Sequence, residues 1–313
     1  QADLESVVAP WDEALAAWAA LRDPELDRWV DAAGRIPEGR ARWQFVAARL
    51  GRTVDHTHAG GIPGRPDTAL ADQKGDRASV LYTVARRLGT PACLVRVVPL
   101  ARLPATEPPD PEDYGMTLVR LRLPAGPQSP AQEIWYDPGL QSGILDHVRA
   151  GLRNRSGLLV GCPVPEAERR VQVPPLGEGR DTRQVAVALD WREDGSIDAL
   201  VQDRLDGALA ALLRALFVGS TEASRAEILR QLSGDAFPGL TIALEDVLGL
   251  TDPGPLTVVY QVTAPADVRR RDTLDLLLYP DRLGQGYAGL GERRMPLLFG
   301  ASLDTTVTFT VRS

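Results

Sequence analysis

At 313 residues the chain exceeds what one hydrophobic core usually organises, since cores rarely grow much beyond about 250 residues, and it reads as two domains. A composition of 44% hydrophobic and 25% charged residues excludes a largely disordered chain. The formal net charge of −7 excludes a general nucleic-acid surface, because phosphate binding needs clustered cations, and the run Arg269-Arg270-Arg271-Asp272 reads as solvated surface.

The first fifty residues carry apolar side chains at helical spacing. Trp11, Leu15 and Trp18 mark one helix, Leu26, Trp29 and Val30 a second, and Trp43, Val46 and Leu50 a third. Residues 51 to 70 are rich in Gly, Pro, Thr, His and Asp and read as a long irregular connection. Residues 76 to 88 form the clearest helix, with Val80, Leu81, Val84 and Leu88 on one stripe, Asp76 placed as N-cap and Gly89 suited to the C-terminal turn. Strands follow at Cys93–Val98, Met116–Leu123 and Glu133–Asp137, the last running into Pro138-Gly139. Helices first and a strand meander after is an α+β order.

The Pro- and Gly-rich stretch from Pro163 onward reads as a linker at 166–182, dividing a domain at 1–165 from one at 183–313. The second half alternates through Val185, Val187 and Leu189. It offers helices near 206–217 and 221–232 and strands near 239–244, 256–263, 273–279 and 304–312, which suggests a C-terminal β-sandwich with a helical insertion. Cys93 and Cys162 are the only cysteines and read as two isolated thiols, with one disulfide left open. No run approaches the roughly eighteen consecutive apolar residues of a membrane-spanning helix.

The segment Lys74-Gly75-Asp76-Arg77 through Leu88-Gly89-Thr90-Pro91-Ala92 resembles the core signature of bacterial transglutaminase-like domains, in which a Gly-Asp-Cys stretch opens a helix that ends in a Gly-Ile-Pro-Ala turn. Tyr114-Gly115-Met116-Thr117 resembles that family's aromatic-Asn-His strand, and Trp135-Tyr136-Asp137-Pro138 its Trp-x-Asp-Pro strand end. The resemblance covers roughly residues 10 to 165 and implies a papain-like transglutaminase core. Without a gap, the family's cysteine falls on Lys74, its histidine on Met116 and its aspartate on Asp137; a second register treats the cysteine as deleted or replaced by Arg77. The family's chemistry needs a thiolate at a helix start and an imidazole base oriented by a carboxylate, and neither register supplies the thiol.

The resemblance therefore implies a pseudoenzyme whose vestigial triad positions are Lys74, Met116 and Asp137, with no catalytic residue. Lys74, the only lysine, would pair with Asp137 in the old cleft, because an adjacent carboxylate holds the ammonium charged and unreactive. The implied role is protein or peptide binding, or a structural part of an exported bacterial assembly at the periplasm or cell surface. Any export signal would have been removed or would lie outside these residues. The rival expectation is a hydrolase or acyltransferase using a relocated site around Lys74 and Asp137. His56 and His58 would share one side of an extended segment but lack the further ligands of a closed metal set, and His147 is assigned no role. Gly284 to Gly291 follows no strand-to-helix transition and reads as a loop, so no cofactor or metal is expected.

Overall fold

Each of the three opening helices has an apolar stripe to bury. In the computed structural model they span α1 (Leu4–Ala20), α2 (Pro24–Gly34) and α3 (Arg40–Thr53), and Leu15, Leu26, Trp29, Trp43, Val46 and Leu50 are fully buried. Asp23 caps α2 by accepting the Glu25 and Leu26 amides at 2.9 Å, and Pro24 follows where no amide donor is needed. The structure describes residues 4–57, 64–99, 114–125, 130–140, 143–175, 181–218, 220–233, 240–250, 254–266 and 304–312. The chain divides into two compact units, Gln1–Gly177 and Glu178–Ser313.

After α3 the chain makes a short parallel ladder between β1 (Asp55–His56) and β2 (Lys74–Gly75), with α4 (Pro66–Ala71) between them. Gly75 has φ +148°, and a Cβ there would stand 2.9 Å from that of Ala69, so only glycine lets β2 pass α4 this closely. Next comes α5 (Arg77–Arg87), which is buried on every side from Arg77 to Ala85 and is the central helix of the unit. Asp76 caps it at the Ala78 amide, and Gly89 leaves it at φ +76°.

The helices cover one face of an antiparallel sheet ordered β5-β4-β3-β6-β7. Its strands are β3 (Ala92–Val97), β4 (Met116–Leu123), β5 (Gln132–Tyr136), β6 (Ser156–Val160) and β7 (Arg170–Gln172). Alternation splits each strand between two cores. Leu94, Val119, Leu121, Ile134, Tyr136, Leu158 and Val160 join the helices, whereas Val95, Val97, Leu118, Trp135 and Leu159 form a second cluster with Val148, Leu152 and Val173.

Two expectations are corrected in this unit. Cys93 and Cys162 are a disulfide, with Cα atoms 5.2 Å apart, tying β3 to the residues after β6 across a sequence separation of 69. Residues 166–173 are not linker: β7 pairs with β6, Val173 is fully buried, and the first unit runs to Gly177. Pro163, Pro165, Pro174 and Pro175 flank β7 and lie outside its ladder.

The second unit holds a five-stranded sheet ordered β10-β11-β9-β8-β12. Its elements are β8 (Thr182–Trp191), β9 (Ile197–Leu205), α6 (Ala208–Phe217), α7 (Glu222–Ser233), β10 (Thr241–Leu248), β11 (Leu256–Ala264) and β12 (Asp304–Arg312). Val187, Val201, Val258 and Tyr260 of the sheet share one core with Leu213, Phe217 and Leu229 of the helices. Among the described residues this is one sheet backed by two helices in place of the two facing sheets expected of a sandwich. The strand expected at 273–279, the glycine-rich 284–291, the arginine run at 269–272 and His58 lie outside the described residues. The fold class is α+β, and no helix among the described residues is long and apolar enough to cross a membrane.

Candidate functional site at the start of α5

The three positions that the ungapped register puts together have separate surroundings. Lys74 is exposed on β2, beside Asp55 in the ladder, and makes no ion pair or hydrogen bond among the described residues. Met116 packs in the second cluster, on the face of the sheet turned away from α5, and the next residue, Thr117, takes the helix side. Asp137 is fully buried, but its partner is Arg149: the carboxylate accepts the Arg149 backbone amide and Nε, each at 2.9 Å, and the Gly139 amide at 3.0 Å. The expected Lys74–Asp137 pair is therefore replaced by Arg149–Asp137, because the turn after β5 returns Arg149 to the carboxylate.

The residue at the first position of α5 is Arg77, only 1% exposed. Its Nε donates to the Val54 carbonyl at 2.6 Å, while its terminal nitrogens reach the Pro138 carbonyl at 3.2 Å and that of Gly51 at 3.3 Å. The planar fork suits three separated acceptors, one for each of its nitrogens. A cation is unfavourable at the N-terminus of its own helix, yet Gly51 and Val54 end α3, where a cation is favourable. Arg77 thus joins the end of α3 to the turn after β5.

Around it lies a buried polar layer on the helix face of the sheet. Arg96 of β3 is 2% exposed, donates to Thr117 Oγ1 at 2.7 Å and to the Tyr114 carbonyl at 2.5 Å, and stacks over Trp11 at 4.7 Å. Burial lowers Arg96 to about 10, partly offset by the Asp76 charge. Burial pushes the half-buried Asp76 up to about 6, against the opposing pull of the Ala78 amide and the Arg96 cation. It likewise lowers Arg77 and raises Tyr136, each sensing the other's charge.

Chemically the layer offers one carboxyl raised to about 6, two committed guanidinium groups and a phenol, while both cysteines are held in the disulfide. Among the described residues no group of three or more His, Cys, Asp or Glu side chains is placed to hold a metal ion. Arg96 had a sequence signal, a charge inside the apolar run Cys93–Val98. Arg149 had none, since its role depends on a turn.

No family model matches the chain, and no curated protein matches it. It is similar to a solved structure from Parabacteroides distasonis described as a "putative protease", at 10% identity and a TM-score of 0.39. The match covers 83% of this chain and 52% of that one, so the chain spans about half its length. A likeness this loose carries neither a shared fold nor an activity.

Two measurements check the site's wiring. In a double-mutant cycle, Asp137→Asn with Arg149→Met should show a coupling of about 1 to 2 kcal/mol, whereas Lys74→Met should shift stability by less than about 0.5 kcal/mol and show no coupling to Asp137. Coupling to Lys74 in its place would reverse the assignment. For Asp76 the folded pKa lies above the unfolded one, so its stabilising contribution is complete below about pH 4 and is lost as pH rises through about 6. Asp76→Asn keeps a capping side chain and should be more stable than the parent above pH 6, on the order of 1 to 3 kcal/mol, with the advantage gone at pH 4. Thermal unfolding across that range reads it, and a variant less stable at every pH contradicts the assignment.

Proposed function

We propose that the chain is a non-catalytic module of transglutaminase-like, papain-related type, a pseudoenzyme that binds a protein or peptide or serves as a structural part of an exported bacterial assembly. The observation that carries this reading is Arg77. Where the resembled family opens its central helix with a nucleophile, this chain places a buried guanidinium bonded to three backbone carbonyls. Such a side chain can neither attack a carbonyl nor leave room for one to approach.

The disulfide adds two supports. It consumes both cysteines, so neither offers a thiolate, and disulfides persist mainly in oxidising compartments, which favours the periplasm or the cell surface. The rival reading, a relocated site built on Lys74 and Asp137, is disfavoured because Asp137 is saturated by Arg149 and Gly139. The β-rich second unit is then a companion domain to that core.

The test is an activity screen of the purified protein with glutamine-containing peptides, an acceptor amine and simple amides. No turnover above the uncatalysed rate is expected, with or without reductant. Turnover abolished by a thiol-alkylating reagent would overturn the reading.

A further inference from the structure

A sheet's outer strand presents unpaired backbone donors and acceptors, and proteins normally blunt such edges with charge, proline, bulges or brevity. Three of the outer strands in the two large sheets are blunted in this way. β7 has three residues, and β5 has five with Gln132 and Glu133 exposed. β10 breaks register at Leu244/Asp246, where Glu245 and Asp246 are exposed.

β12 has none of these devices. It pairs with β8 in unbroken parallel register over nine residues, Asp304 to Arg312. It contains no proline and no lysine, and its two charges sit at its two ends. Val311 is 52% exposed, and Val307 and Phe309 are only partly covered by the core. β12 closes the sheet's order among the described residues, so nothing among them pairs with its far side.

The sequence Asp304-Thr305-Thr306-Val307-Thr308-Phe309-Thr310-Val311-Arg312 is complementary to itself read backwards. Two such strands laid antiparallel about Thr308 put Asp304 opposite Arg312 at both ends, Val307 opposite Phe309 twice on the core face, and Thr306 opposite Thr310 twice on the other. β-Branched residues against an aromatic, threonine against threonine and opposite charges are the cross-strand pairs that stabilise antiparallel sheet. Thr305 falls opposite Val311 in the same register, and a shift of one residue would lose both Val307–Phe309 pairs and separate both charge pairs. We propose that β12 is a self-association edge: two copies of the chain pair antiparallel along it about a two-fold axis at Thr308, joining their sheets into one. The interface is isologous, and the exposed end charges set its register more than its strength.

The experiment is the mass of the whole chain by sedimentation equilibrium up to about 100 µM, a range that reveals dimers of micromolar affinity. The parent should reach twice 33.8 kDa. Asp304→Arg creates like-charge contacts at both ends and should weaken the dimer by about tenfold, and Asp304→Arg combined with Arg312→Asp should restore it. The paired exchange changes no buried group, so it reads register and not folding. A parent that stays monomeric, or a dimer indifferent to Asp304→Arg, would overturn the proposal.

Discussion

The first unit depends on how one buried cation is satisfied. Arg77 stands buried at the start of a central helix, and its guanidinium answers carbonyls from the end of α3 and from the turn after β5. Three segments far apart in sequence are fixed to one another by that fork. The arrangement overrides the electrostatic preference against a cation at a helix N-terminus because the charge is delivered to the C-terminus of another helix. Asp76, half-buried at the cap beside Arg96, shares the same layer and keeps a proton to higher pH than a surface carboxylate.

Under the proposed reading this layer serves stability and shape in place of turnover. Catalytic groups need pKa values matched to proton transfer and space for a substrate, and here the guanidinium groups are spent on backbone acceptors. The disulfide behind the sheet works to the same end by fixing β3 against the residues that follow β6. Both features hold the framework of the first unit in place.

Much of the framework was legible in the sequence because periodicity reports one-sided burial. Trp11 to Leu50, Val80 to Leu88 and Met116 to Leu123 all lie in the expected elements, and Asp76 caps α5 as its position suggests. Residues 166–173 read as linker because Pro163, Pro165, Pro174 and Pro175 bracket them, although β7 itself contains no proline. Alternation sends Met116 into the second cluster and Thr117 toward α5, and Lys74 lies on β2 ahead of the helix start at Arg77, so the three positions of the ungapped register keep separate surroundings. The partner of Asp137 comes from a turn that returns Arg149 to β5, which neither spacing nor periodicity encodes.

The central claim is that the start of α5 is a structural lock. Denaturant unfolding of Arg77→Met tests it most directly, since methionine fills comparable volume and leaves the Val54, Gly51 and Pro138 carbonyls without their donor. The account predicts a loss of about 3 kcal/mol or more, with Arg77→Lys recovering only part because an ammonium cannot reproduce the fork. A variant within about 0.5 kcal/mol of the parent would show that the guanidinium holds nothing together and would contradict the account.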